Sequence, residues 1–222
     1  MEMIKFEKVT KNYRQGTKTI KAVDGINLTI NEGEFVVVSG PSGSGKSTFL
    51  QLVGGLDRPT SGEVTIAGQK IAKMKESQLT KLRRQTIGFI FQNFNLIPTL
   101  SAQLNVEAGL PEKAQMSVKK ASELLNKIGL EGRKNHLPTL LSGGEQQRVA
   151  IARSLIHDPK IVLADEPTGN LDSQTGREIM TILEDLNQKS HKTVIVVTHS
   201  DYVLKYATKV IKMRDGKITI TK

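Results

Sequence analysis

A chain of 222 residues is long enough to bury one substantial core, and 37% hydrophobic with 24% charged residues is the balance of a folded chain and not of a disordered one. No apolar run exceeds four residues ("FVVV", "VAIA", "IVLA", "VIVV"), against about 20 for a membrane-crossing helix, so no span is expected; zero cysteines leave no disulfide framework and no thiolate metal site, which fits a cytoplasmic protein. The formal charge of +10, from 32 Lys and Arg against 22 Asp and Glu, fits either a polyanionic partner (nucleotide phosphates, nucleic acid or an anionic membrane surface) or a scattered, solvated lysine surface, and charge alone does not choose between them.

The start, "MEMIKFEKVT", has neither a basic segment nor an apolar one, so no secretory signal is expected. The first thirty residues and "GEVTIAG" (Gly62 to Gly68) have the pattern of a small antiparallel sheet. Four short apolar runs have the length and β-branched content of buried parallel strands: "EFVVVSG" from Glu34, "TIGFIFQ" from Thr86, "KIVLAD" from Lys160 and "KTVIVVTH" from Lys192. Turns or helix starts follow each of them, which is the rhythm of an α/β fold: a mainly parallel core sheet flanked by helices. Between about residues 93 and 140 no strong strand appears. There "SVKKASELLNKIGL" places Val118, Ala121, Leu124, Leu125 and Ile128 on one helical face, so a helical lobe inserted into a single 1–222 domain is expected. The final "KVIKMRDGKITI" predicts a hairpin turning at Asp215 and Gly216.

The chemistry begins after the first core strand. Gly40, Pro41, Ser42, Gly43, Ser44, Gly45, Lys46, Ser47 and Thr48 spell "GPSGSGKST", a phosphate-binding loop set between a strand and the helical run "STFLQLVGGL". Its glycines allow backbone N–H groups to turn inward around a phosphate, and the helix start adds about half a positive charge. Lys46 is placed for the β- and γ-phosphates and Ser47 for Mg²⁺. Asp165, closing the strand of "IVLADEPTGNLD", supplies a carboxylate for the metal, and Glu166, one residue on, one for polarising an attacking water. Hydrolysis is therefore expected, and not binding alone.

These residues, together with several others in the same order, resemble the ATP-binding cassette (ABC) ATPases along essentially the whole chain. Leu141, Ser142, Gly143, Gly144 and Glu145 ("LSGGE") look like the family signature; Gln92 like its Q-loop glutamine; "GNLD", with Asp172, like its D-loop; His199 like its switch histidine. Tyr13 in "KNYRQG" resembles the aromatic residue that stacks on adenine, although a lone aromatic in such a sheet also serves packing. The resemblance implies ATP and Mg²⁺ as ligands, with Ser47, Gln92 and Asp165 at the metal and Glu166, His199, Lys46 and Gln92 catalytic. It further implies a homodimer formed on ATP binding, in which the signature of one chain covers the γ-phosphate held by the other. His136, His157 and His191 lack such placement and are expected at the surface.

Fewer than a hundred residues separate Lys46 from Ser142, too few for the coiled coil of chromosome and repair ATPases, and translation-type members usually hold two cassettes. No nucleic-acid partner is therefore expected. "LVGGLDRPTSGEV", "IGFIFQNFNLIPTLSAQLNV" and "LADEPTGNLDSQTG" resemble the ATPases of lipoprotein-release, macrolide-export, peptide-resistance and cell-division systems. That implies a separate integral membrane permease of the FtsX-like type, work at the inner face of the cell membrane, and a groove around Phe94, Asn95, Leu96 and Pro98 that receives a coupling helix. The work is export, extraction or resistance, or force transmission as in a cell-division complex. One departure is the linker "PEKAQMSVKK", shorter than expected of that subfamily, and no regulatory domain is expected after the last hairpin.

Overall fold

The computed structural model describes residues 1–110 and 115–222, and the side chains of 115–117 are outside the description; part of the short linker therefore falls outside the described residues. Two sheets share the work. The first is antiparallel, in the order β2 (Lys18–Asn31), β1 (Glu2–Gln15), β4 (Ser61–Ile66), β5 (Gln69–Lys70). The second is the core sheet, in the order β10 (Lys217–Ile220), β9 (Lys209–Arg214), β3 (Phe35–Ser39), β8 (Thr193–Thr198), β7 (Ile161–Asp165), β6 (Ile87–Ile90). All pairings in it are parallel except the closing β9–β10 hairpin.

The four apolar runs become β3, β6, β7 and β8 because each has to fill two faces at once. In β3, Val36 and Val38 pack into one cluster with Phe49, Leu52 and the first sheet, while Phe35 and Val37 pack into another with Ile179, Met180 and Leu183. β7 and β8 divide in the same way, Leu163 and Ile195 to the first side, Val162 and Val196 to the second. Alternation with a hydrophobic residue at every position is what a sheet covered on both sides requires. α1 (Lys46–Val53) covers one face and α6 (Ser173–Gln188) the other. α2 (Glu76–Thr86), which sequence reading did not register, leads into β6 with Leu79 and Leu82 buried.

Between β6 and β7 the described residues hold α3 (Ala102–Glu107), α4 (Gln115–Lys127) and α5 (Gly143–Leu155), and no strand. Ala102, Val106, Ala121, Leu125, Val149, Ala152 and Ile156 form a third cluster there. α5 belongs to two cores at once, since Ile151 and Leu155 on its other flank join the cluster of the core sheet. None of the described helices is long and apolar enough to cross a membrane.

Fully buried Asn105 of α3 organises the loop that leaves β6. Its Nδ2 donates to the carbonyls of Ile97, Leu100 and Ser101 at 3.1, 2.9 and 3.1 Å, and its Oδ1 accepts from the Ile97 N–H at 2.7 Å. A buried polar group with that many partners leaves several backbone groups orphaned when it is removed. Asn105→Ala is expected to lower unfolding free energy by about 3 kcal/mol, read as a shifted denaturant midpoint, while nucleotide binding by the folded fraction is retained.

Candidate functional site

The phosphate loop sits where β3 ends and α1 begins. Gly45, the N-cap of α1, has φ 102°, and a Cβ there would lie 2.1 Å from the Ala22 carbonyl oxygen, so only glycine lets the loop pass β2 this closely. Lys46 is 8% exposed and its Nζ donates to the carbonyls of Gly40 and Pro41 at 2.9 and 2.8 Å. That folds the ammonium back over the loop, with its charge directed at whatever the loop holds. The turn of the last hairpin braces the loop from outside: the Gly216 N–H donates to the Ser44 carbonyl at 3.1 Å, and Asp24 N–H to the Gly216 carbonyl at 2.9 Å.

A cavity of about 900 Å³ opens over this loop. Ser42, Gly43, Gly45, Lys46, Ser47, Thr48, Glu166 and His199 line it, together with Ile20, Lys21, Ala22, Asp215 and Gly216, which sequence reading did not assign to the site. The predicted hairpin turn was legible; its role as a wall was not, because that depends on β9 lying beside β3. Gly40, Pro41 and Ser44 are not among the lining residues; Ser44 is buried, its hydroxyl without a partner among the described residues.

Glu166 and His199 come from the ends of adjacent strands, β7 and β8. Glu166 Oε1 lies 3.0 Å from His199 Nδ1. Glu166 has φ 44°, a left-handed conformation that costs a non-glycine residue of order 1–3 kcal/mol. Its backbone is held there from both ends: its N–H donates to the Val197 carbonyl at 2.9 Å, and its own carbonyl accepts from the Gly169 N–H at 3.0 Å. Half-buried Asp165 is next to it. Burial first, then the Glu166 charge, push its carboxyl above the ordinary aspartate range, with Lys46 pulling the other way.

Gln92 does not line the cavity. Its amide meets Asn170 Oδ1 at 3.4 Å, while Asn170 Nδ2 donates to the Gln92 carbonyl and to Asn93 Oδ1, both at 3.1 Å. It nevertheless stands near Glu166: a Cβ on Gly169 would lie 2.8 Å from Gln92 Nε2 and 3.3 Å from Glu166 Oε2. Asn170 is a residue that sequence reading passed over inside "GNLD". Asp172 caps α6, its Oδ1 accepting from the N–H groups of Gln174 and Thr175 at 3.0 Å. Tyr13 stands outside the cavity lining, paired across the strand with Ile20; its hydroxyl donates to Asp57 Oδ2 at 2.8 Å, and Lys11 Nζ lies 5.1 Å from its ring centroid.

The signature segment is absent from the cavity lining and builds the start of α5. Ser142 is the N-cap; its Oγ accepts from the Glu145 N–H at 3.3 Å, and Glu145 Oε2 accepts from the Ser142 N–H at 2.8 Å. The N–H groups of Gly143 and Gly144, the first two of the helix, are left to outside acceptors. Gly144 is tied to glycine by packing, since a Cβ would lie 2.4 Å from Thr175 Cγ2 of α6. Leu141 is buried in the helical cluster. The surface expectation holds for His191 and is corrected for two others: His136 and His157 are half-buried, and a ring nitrogen of His157 is engaged by the Gly109 carbonyl, which closes the end of α3 against the loop before β7.

A phosphate loop on a parallel sheet, with a strand-end Asp–Glu pair and a histidine at the same mouth, defines a nucleoside-triphosphate hydrolase of the phosphate-loop class. The family model described as "ABC transporter" matches residues 23–169. The ABC transporter ATP-binding protein MJ0796 of Methanocaldococcus jannaschii is 51% identical over 223 residues, covering 97% of this chain and 95% of that protein. The macrolide export ATP-binding/permease protein MacB of Hyphomonas neptunium is 47% identical over 221 residues, 97% of this chain but 34% of MacB, so this chain spans about a third of that relative. Among solved structures, the dimeric post-hydrolysis state of MJ0796 bound to ADP and Pi superposes with a TM-score of 0.91 at 47% identity, covering 99% of this chain and 98% of that one. The chain belongs to the ABC transporter family and is one of its ATP-binding, ATP-hydrolysing cassettes.

Asp165 binds its proton more tightly folded than unfolded, the reverse of the usual aspartate. Its ionisation therefore costs stability at neutral pH, and that cost is relieved as pH falls through its folded value. Asp165→Asn is expected to raise the melting temperature of the nucleotide-free protein at neutral pH, by about 2–4 °C for each kcal/mol relieved, with the gain shrinking toward acid pH.

Proposed function

We propose that this chain is the ATPase subunit of a membrane export or extraction machine, acting as a nucleotide-sandwich dimer on an integral permease of the FtsX-like type at the inner face of the membrane. Residues 1–222 are read as one domain with the helical lobe at about 93–140. The observation that carries the catalytic part is the Glu166–His199 pair, 3.0 Å apart in the same cavity as the phosphate loop.

In this reading the amides of Ser42 to Thr48 and the Lys46 ammonium hold the phosphates, and Tyr13 packs on the adenine. Glu166 takes the proton of the attacking water while His199 fixes its carboxylate and contacts the γ-phosphate. Ser47, Asp165 and Gln92 would hold Mg²⁺. They fit it by chemistry: all offer oxygen, and the Asp165 carboxyl, pushed up by burial, is the group a cation would most stabilise. The bound ion would neutralise charge on the phosphates.

The dimer follows from an incompleteness. The Gly143 and Gly144 amides and the Ser142 cap form an anion-ready helix start that is not part of this chain's own cavity. A second copy placed head to tail brings that start to the first copy's γ-phosphate, and cleavage removes the ligand that joins them. Support comes from the dimeric MJ0796 structures, and for export from the MacB resemblance. The coupling groove at Phe94, Asn95, Leu96 and Pro98 has a fitting scaffold: Phe94 and Asn95 are left-handed, and Arg153 of α5 donates to their carbonyls at 2.7 and 2.5 Å.

Glu166→Gln is expected to keep ATP binding, lose about 10²- to 10⁴-fold in turnover and shift from monomer to dimer with Mg-ATP in light scattering. Turnover at the original rate would refute the role of Glu166.

A further inference from the structure

The base is held in its left-handed conformation by more than its own strand. The residue after it, Pro167, presents its carbonyl to Nε2 of Gln147 at 2.8 Å, and Gln147 is fully buried in the middle of α5. The Gln147 Oε1 has no partner among the described residues. A buried amide that satisfies only its donor side is a costly choice for a position that an apolar side chain of equal volume could fill. The bond it makes is therefore the reason for its presence, and that bond falls on the turn that aims Glu166.

Three restraints meet on this turn. The Glu166 N–H is anchored to β8 through Val197, its carbonyl to Gly169, and the next carbonyl to α5 through Gln147. The second closes the turn around the Pro167 peptide, and the third ties that closed turn to α5. Proline adds to the need, because it offers no N–H through which the turn could be tied instead.

We propose that Gln147 is a positioning residue for ATP hydrolysis, holding the Glu166 carboxylate in its productive direction through the Pro167 carbonyl. This rests on the reading of Glu166 as the base. The bond also joins the two half-sites of one chain: α5 begins at Ser142, which addresses the partner's nucleotide, and five residues later grips the turn of the base that addresses the chain's own.

The test is a double-mutant cycle on the full chain, with steady-state turnover against ATP concentration and thermal melting for each protein. Gln147→Met, of similar length and volume, removes the donor. It is expected to melt at or above the parent temperature and to lose about 10- to 100-fold in kcat with KM for ATP within about twofold, as small misplacements of a catalytic group do. In the Glu166→Gln background the same change is expected to have no further effect on residual turnover. Gln147→Leu, a second donor-free side chain of different shape, is expected to repeat the loss and guards against a packing defect peculiar to methionine. An unchanged kcat in both variants, a loss carried by KM, or an equal loss in both backgrounds would overturn the proposal and leave the Glu166 reading standing. Full activity of Glu166→Gln itself would overturn both.

Discussion

The constraint on which the rest depends is that α5 is buried along two flanks. Ile151 and Leu155 lock it to the core sheet, Val149, Ala152 and Ile156 to the helical lobe, so it cannot shift against one without disturbing the other. Several of its polar residues contact the segments around the site, while Arg148 pairs with Glu178 of α6. Ser142 and Glu145 finish its start, Gln147 reaches the turn of Glu166, and Arg153 gathers the carbonyls of Phe94 and Asn95. Burial pushes the Arg153 guanidinium below its ordinary range, yet it stays charged at any physiological pH, so those two carbonyls receive charge-assisted bonds.

The core sheet does the complementary job of placing chemistry at one edge. β3, β7 and β8 are parallel, so their carboxyl ends coincide, and the phosphate loop, Asp165, Glu166 and His199 all follow from those ends. Close approach then limits which residues can stand there. Gly45 leaves room for β2, Gly144 for Thr175, and Gly169 for Gln92 and Glu166. The strain in Glu166 is held by its backbone partners, Val197 on β8 and Gly169 in the following turn.

How legible this was in the sequence varied with the range of the interaction. The runs "FVVVS", "IVLAD" and "TVIVVT" announced buried parallel strands because both faces of each are apolar, and the phosphate loop, "ADE" and "LSGGE" are recognisable as motifs because each lies in consecutive residues. β9, "KVIKMR", is interrupted by exposed Lys212 and was readable only as half of a hairpin, not as a core strand beside β3. α2, "ESQLTKLRRQT", buries just Leu79, Leu82 and Thr86, too narrow a stripe to stand out. Contacts spanning tens of residues left no local trace: Gln147 to Pro167, Asn170 to Gln92, Arg153 to Phe94, the β9–β10 turn against the phosphate loop. Tyr13 was legible as an aromatic near the site, but its bond to Asp57 was not.

In the proposed dimer, one chain's phosphate loop and another chain's α5 start make one site. The most direct test of this mixes two inactive variants, Lys46→Ala, which loses the loop's ammonium, and Ser142→Phe, which blocks the helix start. A heterodimer of the two contains one site built from an intact loop and an intact signature, so turnover is predicted to recover on mixing toward a substantial fraction of the parent rate. Mixtures no more active than the separate variants, with ATP binding by Ser142→Phe intact, would place the signature's action within its own chain and contradict the account.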